Sequence, residues 1–170
     1  MRKMRGWTLC LFCVVALAAP TFAQGNRGKA EVMVSGGDVT VDYGRPSLQG
    51  RDMLSKLQEG QFWRMGMNQS TTFTTPVNLH FGSTQIAKGS YSLWLIKSGS
   101  DFQLVFNSQT GQWGTQHDPS KDVAKVTMKK GSLSSPVETF TINLEKASGG
   151  GTLQMEWGET QLSASFTTGM

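Results

Sequence analysis

From Lys29 onward the chain alternates apolar and polar residues with a period of two, the pattern of strands that bury one face. Val39, Val41 and Tyr43 alternate with Asp38, Thr40 and Asp42, so one set points inward and the other to water. The pattern returns at Val77, Leu79 and Phe81; at Tyr91, Leu93 and Leu95; and at Phe102, Leu104 and Phe106. Further on it marks Phe140, Ile142 and Leu144; Leu153, Met155 and Trp157; and Leu162, Ala164 and Phe166. Fainter runs lie at 29–34, 71–75 and 123–128. Turn formers such as Ser35-Gly36-Gly37, Ser98-Gly99 and Ser148-Gly149-Gly150 separate the runs. One helix of about two turns is predicted over 53–59, where Leu54 and Leu57 are three apart. The layout predicts an all-β domain over 29–168, an antiparallel β-sandwich of about nine short strands, with a β-barrel as the alternative.

Two stretches, 44–70 and 107–122, are too long for hairpin turns. Long ordered connections in a compact domain are uncommon and often carry binding sites, so a site is expected there.

The first 23 residues follow another rule. Arg2, Lys3 and Arg5 precede an apolar run over 9–19, and Thr21-Phe22-Ala23 offers small residues at a cleavage site. This predicts a signal peptide cut after Ala23, a disordered lead over 24–28, and a soluble product in the periplasm or outside the cell. The apolar run, about 11 residues, is well short of the roughly 20 that a spanning helix needs, and no membrane span is expected. Cys10 and Cys13, the only cysteines, leave with the leader, so no disulfide or lipid anchor is expected. The net charge of +4 also shrinks: three of the 16 basic residues leave and none of the 12 acidic ones does, leaving 13 against 12. That is close to neutral, and without a basic stripe or a sizeable positive excess to drive counterion release, nucleic acid is not an expected partner.

Three of the four arginines beyond the leader, Arg45, Arg51 and Arg64, fall within 44–70, whereas the 106 residues after Arg64 hold seven lysines and no arginine. A guanidinium fork grips a carboxylate, a phosphate or several carbonyls at once, which lysine cannot copy. Two readings follow. The arginines bind a ligand, with at least two converging where the long stretches meet, or they fasten the loop to Asp42, Asp52 and carbonyls. Tyr43 and Trp63 flank the same zone, and Trp113 lies between two glycine-bearing dipeptides of the second stretch; each packs in the core or stacks on a ligand. Trp94 and Trp157 lie within strand runs and are read as packing.

Signals for catalysis are sparse. His80 alternates with Leu79 and Phe81 and is read as a surface residue. His117 next to Asp118 allows a dyad, but no G-x-S-x-G supplies a nucleophile. Two distant histidines without cysteine do not make a zinc set, and Asp118 and Asp122 lack the spacing of a calcium loop. No metal or cofactor is expected.

Tyr43-Gly44-Arg45-Pro46, Gly50-Arg51, Trp63-Arg64 with Gly66 and Asn68, Gly89 with Tyr91-Ser92-Leu93, Gln112-Trp113-Gly114 and Asp122-Val123 occur in that order. Together they resemble the bacterial exported family called domain of unknown function 2911. The resemblance implies an exported all-β domain and no particular activity. Where that family's pattern carries Ala-Asn-Glu-Ala-Thr, this chain reads Met67-Asn68-Gln69-Ser70-Thr71, so Gln69 stands in place of a carboxylate. An amide cannot titrate near neutral pH, which counts against acid, base or metal chemistry at that position. The leading reading is a module that binds a small polar or anionic ligand or a glycan. Tyr43, Arg45, Arg51, Trp63, Arg64, Asn68, Gln69, Trp113, His117 and Asp118 are its candidate residues. The alternatives are a hydrolase or isomerase using His117 and Asp118, and an envelope scaffold that pairs through a sheet edge.

Overall fold

The computed structural model describes residues 26–169. The leader and its cut after Ala23 lie outside the described residues. Ten strands carry the fold: β1 (Arg27–Val34), β2 (Gly37–Gly44), β3 (Phe62–Trp63), β4 (Thr71–Thr75), β5 (Leu79–Phe81), β6 (Thr84–Ile86), β7 (Gly89–Ser98), β8 (Asp101–Asn107), β9 (Asp122–Ala147) and β10 (Gly150–Thr168). They form one antiparallel sheet in the order β1-β2-β4-β7-β8-β9-β10-β5-β6, with β3 on β7. The path does not close, so the barrel alternative is set aside.

The sheet folds over on itself and its two halves pack as the layers of a sandwich do. Phe81 of β5 lies 5.4 Å from Phe106 of β8, and Tyr43 of β2 lies 5.7 Å from Phe140 of β9. The inward set of the alternating runs, including Val39, Val41, Leu93, Leu104, Ile142 and Leu153, is buried in this core. β9 makes the fold-over. Its first residues pair with β8 through Met128, and from Lys129 onward it pairs with β10.

Two strands are therefore long where short ones were expected. The runs at 123–128 and 140–144 are both in β9, and those at 153–157 and 162–166 are both in β10. Between them, Lys-Lys-Gly-Ser-Leu-Ser-Ser-Pro at 129–136 looks like a turn. It stays extended because the ladder tolerates an irregularity there. Ser132 pairs with Thr160 and Val137 with Gly158, leaving the residues between them, Pro136 included, without a β10 partner. A proline fits where no ladder bond is needed from its nitrogen. Gly158 of β10, where the register shifts opposite these extra β9 residues, takes a positive φ of 60°.

The predicted helix over 53–59 is a turn instead. Asp52 accepts a bond from the Ser55 amide (3.0 Å), and the Leu57 amide donates to Leu54 O at 3.3 Å, with no continuation. A segment this short cannot offset the cost of helix nucleation, and its leucines need only one turn to be buried together. β1 begins at Arg27, two residues before the predicted start.

Candidate functional site

β7 is buried on both faces. Leu93 and Leu95 point into the sandwich core, while Ser92 and Trp94 point to the outer face and are also buried. The two long stretches cover them. They meet as a short antiparallel ladder in which Gln69 pairs with Trp113, the Ser70 amide donates to Gln112 O (3.0 Å) and the Gly114 amide donates to Asn68 O (2.8 Å). Gly114 is needed for this approach: a Cβ there would lie 2.7 Å from Asn68 O and press on Arg64 Cδ. Asn68, at φ 63°, takes the left-handed turn that asparagine tolerates.

Alternation across this ladder sorts its side chains. Ser70 and Gln112 face inward and are buried, and Gln69 and Trp113 face water. The inward pair joins a polar layer on β7. The Ser70 hydroxyl donates to Gln112 Oε1 (3.4 Å), while Gln112 Nε2 (3.0 Å) and Trp94 Nε1 (2.9 Å) both donate to Ser92 Oγ. Beside it, the His117 ring lies 4.0 Å from Phe62 and 4.7 Å from Trp94, centre to centre. His117 Nε2 contacts Asp122 Oδ1 at 2.8 Å, and Asn107 Nδ2 donates to the same oxygen (2.8 Å) and to Asp118 O (2.8 Å).

The partner of His117 is thus Asp122 rather than its neighbour Asp118. One 3-10 turn, Pro119–Lys121, accounts for this. Asp118 caps the turn, accepting from the Ser120 hydroxyl and amide, and these bonds, the hydroxyl first, hold its carboxyl below the ordinary value. The turn brings the chain back one step later at Asp122. The side chains of His117 and Asp122 are only 8% and 10% exposed. Among the described residues His117 makes no hydrogen bond to a hydroxyl. Nor, among those residues, do three His, Cys, Asp or Glu side chains gather as metal ligands.

The three arginines do not converge. Arg64 alone lies at the joint, its Nε donating to Gly66 O at 3.3 Å. Arg51 bonds within its own turn, to Leu48 O (3.4 Å) and Gln49 Oε1 (3.3 Å). Arg45 crosses to β9, reaching Phe140 O (3.5 Å) and Thr141 Oγ1 (3.4 Å). Neither Asp42 nor Asp52 is their partner, because Arg27 takes Asp42 and Asp52 caps the Ser55 turn. Tyr43 is core, its hydroxyl donating to Ile142 O (3.1 Å). Trp63 stacks on Trp157 at 5.2 Å and packs against Phe140. Trp113 differs: it is 49% exposed.

Asn107 was not visible as a site residue in the sequence, and Ser92, Gln112 and Asp122 stood there within the family motifs, without these roles. A further signal was Trp94 between Leu93 and Leu95, an apolar residue that breaks the alternation and reads as a strand covered on both faces.

The family described as "Protein of unknown function (DUF2911)" matches residues 26–166, the whole of the sheet up to Phe166. The chain belongs to this family. No curated protein and no solved structure matches it. In this DUF2911 member no helix among the described residues is long and apolar enough to cross a membrane.

Proposed function

We propose that the chain is exported and acts in the periplasm or outside the cell as a binding module, holding a glycan on the shelf made by Trp113 and Gln69. The observation that carries this reading is the half-exposed Trp113 on a joint fixed by backbone bonds on both sides, while Trp63, Trp94 and Trp157 are packed. An indole face offers a flat apolar surface to the C–H face of a sugar, and a rigid aromatic loses little entropy on binding. Gln69, directly across the ladder and exposed, supplies an amide donor and acceptor for hydroxyls. The arginine-rich leader start, apolar run and small residues before position 24 support export. The hydrolase or isomerase alternative has less behind it, because the Asp118 carboxylate is engaged by Ser120 and His117 by Asp122.

Isothermal titration of the mature protein with soluble oligosaccharides of glucose and of N-acetylglucosamine tests the reading. Binding by at least one of them, lost at least tenfold in Trp113→Ala with an unchanged melting temperature, is expected. Equal binding by that variant, or no binding to the wild type, overturns it. Recovered exported protein should have the mass of a chain starting at Gln24.

A further inference from the structure

The described arginines use their guanidinium groups differently. Arg27 is paired with the Asp42 carboxylate, and Arg45 and Arg51 each give a terminal nitrogen, Nη2, to Thr141 Oγ1 and to Gln49 Oε1. Arg64 gives only its Nε, to Gly66 O at 3.3 Å. Neither of its terminal nitrogens has a hydrogen-bond or salt-bridge partner among the described residues. No polar side-chain atom among those residues is both buried and unpartnered, so both nitrogens reach water.

Two contacts fix where this open fork stands. A carbon added to Gly114 would fall 2.4 Å from Arg64 Cδ and 3.2 Å from its Cβ, so the stem lies against the residue that follows Trp113. The Nε bond ties the group to Gly66, whose backbone is itself pressed against the Gly44 carbonyl: a carbon there would be 2.9 Å from Gly44 O. A guanidinium packed at its root and held at Nε has little freedom left to lose when an anion docks. Alternation puts the Trp113 indole on the water face of the ladder and the stem of Arg64 on the other, at adjacent residues of one segment. The fork therefore meets water at the margin of the shelf and not beneath the indole.

The joint offers this cation no anion of its own. Asn68 and Gln69 are neutral, Asp118 is held by Ser120, and Asp122 by His117 and Asn107. A planar carboxylate matches such a fork, because its two oxygens take both terminal nitrogens at once.

We propose that the shelf selects acidic glycans, with Arg64 gripping the carboxylate of a uronic acid unit adjacent to the sugar stacked on Trp113. This rests on the glycan reading of the shelf and names the class of sugar it takes.

The probe is a hexasaccharide alternating glucuronic acid and N-acetylglucosamine, compared by isothermal titration with its methyl ester, which keeps the rings and removes the charge. The protein lacking residues 1–23 is expected to bind the acid at least tenfold tighter than the ester. Arg64→Lys, which keeps the charge and loses the fork, should reduce that ratio to about threefold or less, and Arg64→Gln to near one. Lys56→Gln, on an exposed cation of the same stretch, should leave it unchanged. Trp113→Ala should weaken acid and ester alike. Equal binding of acid and ester by the wild type overturns the acidic preference and leaves the shelf standing, and a preference that Arg64→Gln does not diminish overturns the role of Arg64. Binding of the acid that Trp113→Ala leaves intact overturns the shelf itself, and absence of binding to either form overturns both readings.

Discussion

Replacing Gly114 by alanine strikes the ladder on which the Trp113 shelf rests. The new methyl would sit 2.7 Å from Asn68 O, a backbone atom that cannot swing away, and against Arg64 Cδ. Relief requires the two stretches to part. Overpacking of this kind costs about 1 to 3 kcal/mol, and each bond lost from the Gly114 amide to Asn68 O and from the Ser70 amide to Gln112 O costs about 1 kcal/mol. A net loss of about 2 to 3 kcal/mol corresponds to a melting temperature lower by roughly 4 to 12 °C in a domain of this size. Thermal unfolding followed by circular dichroism reads this directly. Gly111→Ala is the control: it lies three residues earlier in the same loop, at φ 79°, with no atom within 4 Å of the added carbon. It costs only the left-handed backbone term, about 1 kcal/mol. If Gly114→Ala melts within a degree of wild type, or Gly111→Ala melts lower than it, the close packing of the joint is refuted.

Ser92→Ala removes the one oxygen that accepts from both Trp94 Nε1 and Gln112 Nε2, leaving two buried donors unsatisfied; denaturant unfolding should show a loss of about 2 to 4 kcal/mol, and Ser90→Ala, on an exposed residue, much less. Carbon-detected NMR titration should place the Asp52 and Asp118 midpoints below the ordinary 3.8; Ser120→Ala should move the Asp118 midpoint back up, whereas Ser55→Ala, which keeps the backbone amide that chiefly lowers Asp52, should move the Asp52 midpoint much less. A lowered folded pKa means stability that is complete above the unfolded value of 3.8 and fades as pH falls through the lowered ones. Unfolding free energy should thus carry the full contribution of these two aspartates above about pH 5, with no pH slope from them there, and lose it as the pH falls below the ordinary value.

Strands were legible wherever alternation ran for five residues or more, because burial on one face imposes it. Val39, Val41 and Tyr43 point inward as their spacing requires. Continuity was not legible. Lys129 to Pro136 carries turn formers that the long β9 tolerates by bulging out of register with β10, a fact about the pairing rather than about the segment alone. The two-residue β3 and three-residue β6 are too short for a period to register. At the site, the two long stretches do meet, and Trp113 and Gln69 are paired in the joint. The clustering of arginines in sequence did not survive folding, since consecutive turns of 44–70 send Arg45, Arg51 and Arg64 to different carbonyls. His117 found its aspartate through a 3-10 turn whose proline start, Pro119, was visible but whose return to Asp122 depended on Asp118 acting as cap.

The proposed glycan shelf is tested most directly by indole N–H signals in a nitrogen–proton correlation spectrum of the protein lacking residues 1–23. Trp63, Trp94, Trp113 and Trp157 each contribute one, assigned by single Trp→Phe variants. On titration with a bound oligosaccharide, the Trp113 signal should shift progressively while those of Trp94 and Trp157 stay in place. Shifts confined to the buried tryptophans, or a Trp113 signal that never moves across the panel, would contradict the account.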